Sequence, residues 1–164
     1  MTIDLRPALP GDDEFLFTVY ASARTEEMDL VDWDIAQKES FLRMQFRAQD
    51  QFYKENYEGA AYSVVLFDDQ PVGRLYIQRR PDEIRIMDIA LLPAFRKRGI
   101  GSSLFLHILG EAAEKDLPVT IHVERFNPAL HLYARLGFRL EEDKGVYLFM
   151  KWLPAAREEH ENAG

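Results

Sequence analysis

The most informative stretch of the chain is Arg96-Lys97-Arg98-Gly99-Ile100-Gly101, which is followed by Ser102. It lies between an apolar, strand-like run at 84–92 and a segment in which apolar residues recur every four positions. The stretch is therefore predicted to turn from a strand into a helix, whose first N–H groups have no intrahelical acceptor. Glycines allow close approach and positive φ, and the three cations neutralise phosphate, so the turn is predicted to bind an anion.

Two common phosphate-binding motifs do not fit this turn. A P-loop has Lys directly before Ser or Thr, whereas here Gly101 precedes Ser102. A dinucleotide-binding fingerprint has a third glycine, at a position that Leu104 occupies in this chain. Nucleoside triphosphates and dinucleotides are therefore disfavoured as ligands. A solvent-exposed basic loop is the alternative that a short glycine motif leaves open.

Composition and charge restrict the class of protein. The 164 residues, 47% of them hydrophobic, suffice for one core, so we expect one domain over 1–153 and a flexible tail at 154–164. The net charge of −8 opposes general binding to phosphate backbones, and nucleic acid is not an expected partner. No apolar run approaches the roughly 20 residues of a membrane span, and the first residues lack a signal-peptide pattern. A cytoplasmic protein without a membrane partner is expected.

Hydrophobic periodicity predicts elements in the order β-α-α-β-β-β-α-β-α-β-β. The strands are expected at 3–5, 62–67, 72–78, 84–92, 119–123, 138–141 and 146–152. The helices are expected after Asp12 or Asp13, after Asp34, at 100–115 and from Asn127 to Gly137. Short turns join the strands between 62 and 92, which predicts antiparallel neighbours. The fold class is α/β, with a mixed, mostly antiparallel central sheet flanked by helices.

The first two helices carry apolar residues at helical spacing, and these are expected to face the core. In the first helix they are Phe15, Val19 and Ala23, and in the second they are Phe41, Met44, Ala48 and Phe52. Between the two helices, Glu26 to Trp33 is expected to form an acidic loop with some exposed apolar residues.

A second motif lies further along the chain, where residues 127–138 read Asn-Pro-Ala-Leu-His-Leu-Tyr-Ala-Arg-Leu-Gly-Phe. This segment is similar to the N…L-Y-x-x-x-G-F block of the GNAT superfamily, with Asn127 and Tyr133 at the matching positions. The turn at 96–101 matches the R/Q-x-x-G-x-G/A motif of the same superfamily. Two motifs in the family's order, within a similar order of elements over most of 3–152, resemble an acetyl-CoA-dependent N-acetyltransferase.

The resemblance implies a GNAT-like fold and acetyl-CoA as co-substrate. Residues 96–102 would hold the pyrophosphate, and the pantetheine arm would pair with the main chain of Ile89-Ala90-Leu91, as an added strand pairs with a sheet edge. The family separates the strand at 84–92 from the next parallel strand, here 119–123, and the thioester would enter that gap. No metal is expected, because the histidines show no ligand spacing and the chain has no cysteine.

By resemblance, Tyr133 is the candidate general acid toward the coenzyme thiolate, and the alternative is a tyrosine that packs in the core. Asp88 lies in an apolar run where the family often has Glu, and it is the candidate general base because burial makes a carboxylate more basic. The alternative for Asp88 is a carboxylate that accepts hydrogen bonds from the neighbouring backbone or from Arg74, Arg85 or Arg98.

Three further residues have a possible role in catalysis or in coenzyme binding. His122 and Glu124 are alternative bases on the strand at 119–123 and directly after it, and Asn127 is either a ligand for the coenzyme amides or a helix cap. The chain has no cysteine and no Gly-x-Ser-x-Gly nucleophile elbow, so direct transfer in a ternary complex is the economical mechanism.

The acceptor is expected to be a primary amine of a small molecule or peptide. Members of the family form the acceptor pocket with the first two helices and the last hairpin. Asp32 and Trp33 are therefore candidate substrate-binding residues for a cationic amine. The alternative for each is an ordinary loop residue. A catalytically silent acyl-CoA-binding sensor and a transferase with another acyl-CoA donor are the competing functions. A homodimer is compatible with the sequence.

Overall fold

The structure, a computed structural model, describes residues 2–155 of the chain. The strands are β1 Ile3–Pro7, β2 Ala61–Phe67, β3 Gln70–Arg79, β4 Ile84–Leu91, β5 Val119–Glu124, β6 Arg139–Asp143 and β7 Tyr147–Trp152. The helices are α1 Asp13–Ser22, α2 Thr25–Asp29, α3 Ile35–Asn56, α4 Ile100–Glu114 and α5 Leu130–Leu136. Short 3₁₀ turns lie at Pro10–Asp12 and Pro93–Phe95.

The strands form a sheet in the order β1-β2-β3-β4-β5-β7-β6. The pairs β1–β2, β5–β7 and β6–β7 are antiparallel, whereas β4 and β5 are parallel from Ile84↔Val119 to Ile86↔Ile121. Asp68 and Asp69 join β2 to β3, and both have positive φ, as a two-residue hairpin turn requires. The predicted fold class, a mixed and mostly antiparallel sheet flanked by helices, is confirmed.

The described part of the chain divides into two compact units. The first comprises residues 2–76 with Asp88–Arg98, and the second comprises Ile77–Met87 with residues 99–155. The expectation of one domain over 1–153 stays a prediction. At the start of the expected tail, Pro154 is buried and Ala155 is helical, and residues 156–164 lie outside the described residues.

The core of the first unit is formed where α1 packs on α3. Phe17 and Tyr20 meet the ring of Phe46 at centroid distances of 5.7 and 5.5 Å. The buried side chains of α1 are Leu16, Phe17, Val19 and Tyr20, so Val19 was predicted correctly, but Phe15 is only half-buried and Ala23 lies after the last helical residue.

The predicted core face of α3 is wrong. Its buried residues are Leu42 and Phe46, while Met44 and Phe52 are 61% and 54% exposed. The helix carries two apolar stripes at the same spacing, so periodicity alone does not say which one is buried. The aromatic rings of α1 select the stripe that contains Phe46.

The observed N-termini of the helices agree in part with those predicted from the sequence. Asp34 directly precedes α3 as predicted, and it also caps the helix, because its carboxylate accepts the Gln37 N–H at 2.7 Å. Asp12 precedes α1 as predicted but does not cap it, since its carboxylate pairs with Arg6 and accepts the Leu9 N–H, at 2.7 and 2.8 Å. The expected loop at Glu26–Trp33 contains most of the short helix α2.

In the second unit, α4 buries Ile100, Leu104, Ile108 and Ala112, which confirms the predicted stripe. At its other end, the Glu111 carboxylate binds Arg79 at 2.7 Å and Lys115 at 3.1 Å.

The helix α5 ends as predicted at Gly137, whose φ of 102° is the left-handed conformation that favours glycine. It begins at Leu130, so the prediction that Asn127 caps it is wrong. Asn127 instead accepts the Ala129 N–H through its side-chain oxygen at 2.8 Å, because a short polar side chain readily mimics a turn.

Candidate functional site

The predicted anion-binding turn has a defined backbone path. After the 3₁₀ turn at Pro93–Phe95, the chain reverses at Lys97, with φ of 58°, and Gly99, with φ of 82°, precedes α4. The first helical bond joins the Ser103 N–H to the Gly99 carbonyl at 3.0 Å. The N–H groups of residues 100–102 therefore have no acceptor within the helix.

The two glycines of the turn have different roles. Gly99 needs its positive φ, whereas Gly101 has an ordinary helical backbone. A Cβ atom at Gly101 would meet no other atom within 4 Å, so the space in front of the first helical turn is open. This arrangement allows a phosphate group to approach the backbone N–H groups closely.

The three cations of the turn are exposed, and no carboxylate within residues 2–155 forms an ion pair with any of them. Arg96 donates through Nε to the Leu91 carbonyl at 2.9 Å, which leaves its terminal N–H groups available. Positive charge is therefore concentrated before α4 without internal neutralisation, in a chain with a net charge of −8.

The second half of β4 carries the predicted pantetheine-binding residues, and Asp88, Ile89, Ala90 and Leu91 are all half-buried. Gly73, to which the sequence motifs gave no role, is a position where a Cβ atom would overlap the Ala90 carbonyl oxygen. Glycine is thus required for β3 to lie close to this part of β4. A glycine inside a strand-like run was the signal that could have revealed it.

Asp88 forms an ion pair with Arg74, one of the three arginines that the sequence offered. Arg85 instead donates to Thr120 at 2.7 Å, and Arg98 lies over aromatic rings. The side chain of Arg74 is 2% exposed and also donates to the Gln49 side-chain oxygen at 2.8 Å, whereas the Asp88 side chain is 18% exposed. The buried Arg74 guanidinium thus pairs with the Asp88 carboxylate, which remains partly exposed.

Tyrosines surround the Arg74 guanidinium, whose central carbon lies 4.8 Å from the ring of Tyr76 and 5.7 Å from that of Tyr20. Burial raises the pKa of Tyr53 and raises that of Tyr76 to about 12. Both phenols therefore stay neutral at pH 7. The Arg74 guanidinium holds the Asp88 carboxyl group in position, and a carboxylate can accept a proton or bind an ammonium group.

Tyr133 lies in α5 and is 4% exposed. Its ring packs on Phe105 at 5.1 Å and on Phe138 at 6.1 Å, both within the second unit. The side chain therefore has the core packing that was the alternative to catalysis. Its assignment as general acid stays a prediction, which substitution of the hydroxyl alone can test.

His122 is half-buried and stacks on Phe149, with the ring centroids 4.8 Å apart. Its Nε2 lies 3.3 Å from Lys144 Nζ, and since an ammonium group only donates, this nitrogen acts as the acceptor. Burial and the charges of Arg85 and Lys144 lower the pKa of His122 below its ordinary value of 6.5. The imidazole is therefore neutral at pH 7. Glu124 is exposed.

A sequence model of the Acetyltransferase (GNAT) family matches residues 25–138. The chain belongs to this family. GNAT proteins are acyltransferases, and the family assignment from the two sequence motifs is thereby confirmed.

Two relatives of known name match part of this chain. N-alpha-acetyltransferase 50 of Danio rerio is 31% identical over 107 residues, which cover 60% of this chain and 63% of that protein. Cysteine-rich protein 2-binding protein of Mus musculus is 36% identical over 61 residues, which are 37% of this chain. The chain spans only 8% of the length of that second relative.

The GNAT fold is also seen in solved structures. The crystal structure of the PaiA N-acetyltransferase from Thermoplasma acidophilum, in complex with coenzyme A, has a TM-score of 0.71 to this chain. The similarity covers 93% of this chain and 99% of that one, at 18% identity. At this level of identity the comparison shows the shared fold.

The predicted acceptor residues of this GNAT chain lie in the first unit. Trp33 is 43% exposed and packs on Phe41 at 5.3 Å, and Asp32 is exposed. Leu30 and Ile35, on either side of them in the sequence, are 88% and 85% exposed. The loop before α3 therefore presents apolar surface next to an acidic side chain.

Residues 2–155 contain neither a metal-binding cluster nor a membrane-spanning helix. No group of three or more His, Asp or Glu side chains there is arranged to hold a metal ion. None of the helices in residues 2–155 is both long and apolar enough to cross a bilayer.

Proposed function

We propose that the chain is an N-acetyltransferase that moves an acetyl group from acetyl-CoA directly to a primary amine. The observation that carries the proposal is the turn at 96–102, which combines free backbone N–H groups, an open approach and unneutralised cations. Membership of the GNAT family and the coenzyme A in the Thermoplasma relative support the same ligand.

The coenzyme would be held through its phosphates and its pantetheine arm. The N–H groups of Ile100, Gly101 and Ser102 would bind the pyrophosphate, with charge supplied by residues 96–98. The main chain of residues 89–91 would pair with the pantetheine amides, and Asn127 would offer its side-chain N–H groups, since its oxygen is already used.

Valine in place of Gly101 tests this binding site. Acetyl-CoA at about 100 times its Kd should stabilise the native protein by about 2.7 kcal/mol and raise its Tm. Gly101→Val should abolish the shift because the new side chain fills the open approach, while the fold survives since nothing lies within 4 Å. Thermal unfolding with and without acetyl-CoA measures both the shift in Tm and the stability of the variant.

Gly110→Val is the matched control, because Gly110 lies in the same helix with the same open surroundings but far from its N-terminus. It should keep the full shift with acetyl-CoA. Unchanged coenzyme affinity in a folded Gly101→Val protein would remove the turn from the binding site.

In the proposed reaction, the acceptor nitrogen forms a bond to the thioester carbonyl carbon and the carbon–sulfur bond then breaks. A base takes the proton from the amine, and Tyr133 gives its phenolic proton to the departing thiolate. Asp88, held by Arg74, is the proposed base. His122 is the alternative, because a neutral imidazole can accept the proton at pH 7.

The pH dependence of kcat/KM separates the two bases. If His122 accepts the proton, kcat/KM should be full at pH 7 and fall as the pH drops through the lowered pKa of His122, below 6.5. His122→Gln should then reduce kcat/KM by about 10²-fold or more and remove that limb of the profile.

If Asp88 is the base, His122→Gln should keep both the wild-type rate and the wild-type pH profile. His107→Gln is the control, since His107 is exposed on α4. It should change neither the rate nor the profile.

We propose a primary amine of a small molecule or peptide as the acceptor, with Asp32 and Trp33 among its contacts. The acidic and apolar surface before α3 fits a cationic amine with an apolar neighbour. One relative is named as an N-alpha-acetyltransferase, which favours peptide N-termini within an amine panel. Release of free CoA in the presence of one of these amines tests the activity and excludes a silent sensor.

A cytoplasmic location is also proposed for the enzyme. The proposed transfer uses acetyl-CoA without a metal, and neither a nucleic acid nor a membrane is proposed as a partner. A homodimer stays a prediction.

A further inference from the structure

Arg98 lies against two phenylalanine rings of the first unit. The central carbon of its guanidinium is 5.1 Å from the ring centroid of Phe67 and 5.2 Å from that of Phe95. The two ring centroids are 6.2 Å apart, at an interplanar angle of 56°. The two distances from Arg98 to the ring centroids are within the range of a cation–π interaction.

Four other arginines of the first and second units have a carboxylate partner, unlike Arg98. Arg6, Arg43, Arg79 and Arg125 each form an ion pair with a carboxylate. Arg98 has no such partner among the described residues. An aromatic face orients a guanidinium without occupying its N–H donors and without cancelling its charge. The five donors of Arg98 thus remain available for an anion.

Each of the two rings is fixed by the backbone around it. Phe67 ends β2 opposite Ile3, and the next residue, Asp68, donates its N–H to the Thr2 carbonyl at 2.8 Å. The Asp68 carboxylate accepts the Thr2 N–H at 2.7 Å and forms no ion pair with Arg98. Phe95 closes the 3₁₀ turn by donating its N–H to the Leu92 carbonyl at 2.9 Å.

We infer that Arg98 binds a phosphate group of the coenzyme and that Phe67 and Phe95 are positioning residues for it. The inference rests on the proposed binding of acetyl-CoA and adds two residues that neither sequence motif contains. Because the rings hold the guanidinium before the ligand arrives, less side-chain entropy is lost on binding. The coenzyme offers a pyrophosphate and a 3′-phosphate, and both present the oxygen acceptors that an arginine fork prefers.

The test measures Kd by titration calorimetry for acetyl-CoA and for its dephospho form, which lacks the 3′-phosphate. Phe67→Leu and Phe95→Leu keep an apolar side chain but remove the aromatic face. Each should raise the Kd of acetyl-CoA about two- to fivefold, the usual scale of an exposed cation–π contact. Phe126→Leu is the control, since Phe126 is 92% exposed and should leave Kd unchanged.

The decisive measurement is whether the effect of the two Phe substitutions on Kd depends on the presence of Arg98. In an Arg98→Gln background, Phe67→Leu and Phe95→Leu should have no further effect on Kd, because no cation remains to be positioned. A ring that only supports the fold would weaken binding equally in both backgrounds, and that additive result would overturn the inference. An unchanged Kd in all three variants would overturn it as well.

The two coenzyme forms identify the phosphate. A loss of affinity for acetyl-CoA alone assigns Arg98 to the 3′-phosphate, and an equal loss for both forms assigns it to the pyrophosphate. Either result supports the inference. If the wild-type protein binds neither form, the proposed function fails before the role of the two rings is tested.

Discussion

Replacing Tyr133 by phenylalanine is expected to lower kcat by about 10²–10⁴-fold, the usual scale of a general acid. The substitution removes one oxygen and keeps the ring that packs on Phe105 and Phe138. The Tm and the Kd for acetyl-CoA should therefore change little. Steady-state kinetics, calorimetric binding and thermal unfolding of the same preparation measure the three quantities.

Tyr62→Phe is the matched control, because the buried Tyr62 hydroxyl has no hydrogen-bond partner among the described residues. It should leave kcat unchanged and stability equal or slightly higher. A merely structural Tyr133 would give the opposite pattern, with lower stability and normal turnover in the folded fraction. Full turnover in well-folded Tyr133→Phe would assign the proton transfer to water or another residue, while the coenzyme site would stand.

Replacing Arg74 by methionine is expected to cause a large loss of stability. Removal of one partner from a buried ion pair typically costs about 3–5 kcal/mol, and the value here should be lower because Asp88 keeps 18% of its side chain exposed. The substitution also removes the donor to Gln49. Urea unfolding with a two-state analysis measures the change in the free energy of unfolding.

Arg43→Met provides the comparison for this result, since Arg43 pairs with Glu14 at the surface at 2.7 Å. Its loss should cost about 1 kcal/mol or less. Equal costs for the two substitutions would show that the Arg74 pair contributes no more than a surface pair. If Asp88 is the base, folded Arg74→Met should also lose kcat with little change in coenzyme Kd, because the carboxylate is no longer held in one orientation.

Local sequence signals predicted much of the fold. The stripe of α4 was identified correctly because Ile100, Leu104, Ile108 and Ala112 follow one helical period, and its apolar neighbours Phe105 and Leu109 are buried as well. In α3 two stripes compete, and the rings of Phe17 and Tyr20 on α1 decide which one is buried. Such contacts join residues far apart in the chain, so no window of sequence contains them.

In the candidate site, too, the sequence predicted local features but not the contacts between residues that are far apart in the chain. Sequence motifs pointed to the turn and to Tyr133, and the family that they indicate is confirmed, while the roles of these residues stay predictions. The motifs could not select the partner of Asp88, because three arginines were equally available and Arg74 lies 14 residues away. They also gave no role to Phe67, which is brought to Arg98 only when β2 and the turn fold together.

By itself, the sequence determined the features that depend on local stereochemistry and on family motifs. Gly99 and Gly137 were predicted at turn positions because only glycine adopts their φ values without strain, and the motifs around them identified the family. The tertiary structure alone decided which charges and rings meet, as for Arg74 with Asp88 and for Arg98 with Phe67 and Phe95. The physical reason is that ion pairs and cation–π contacts depend on distance in space, which packing sets for residues that the chain separates.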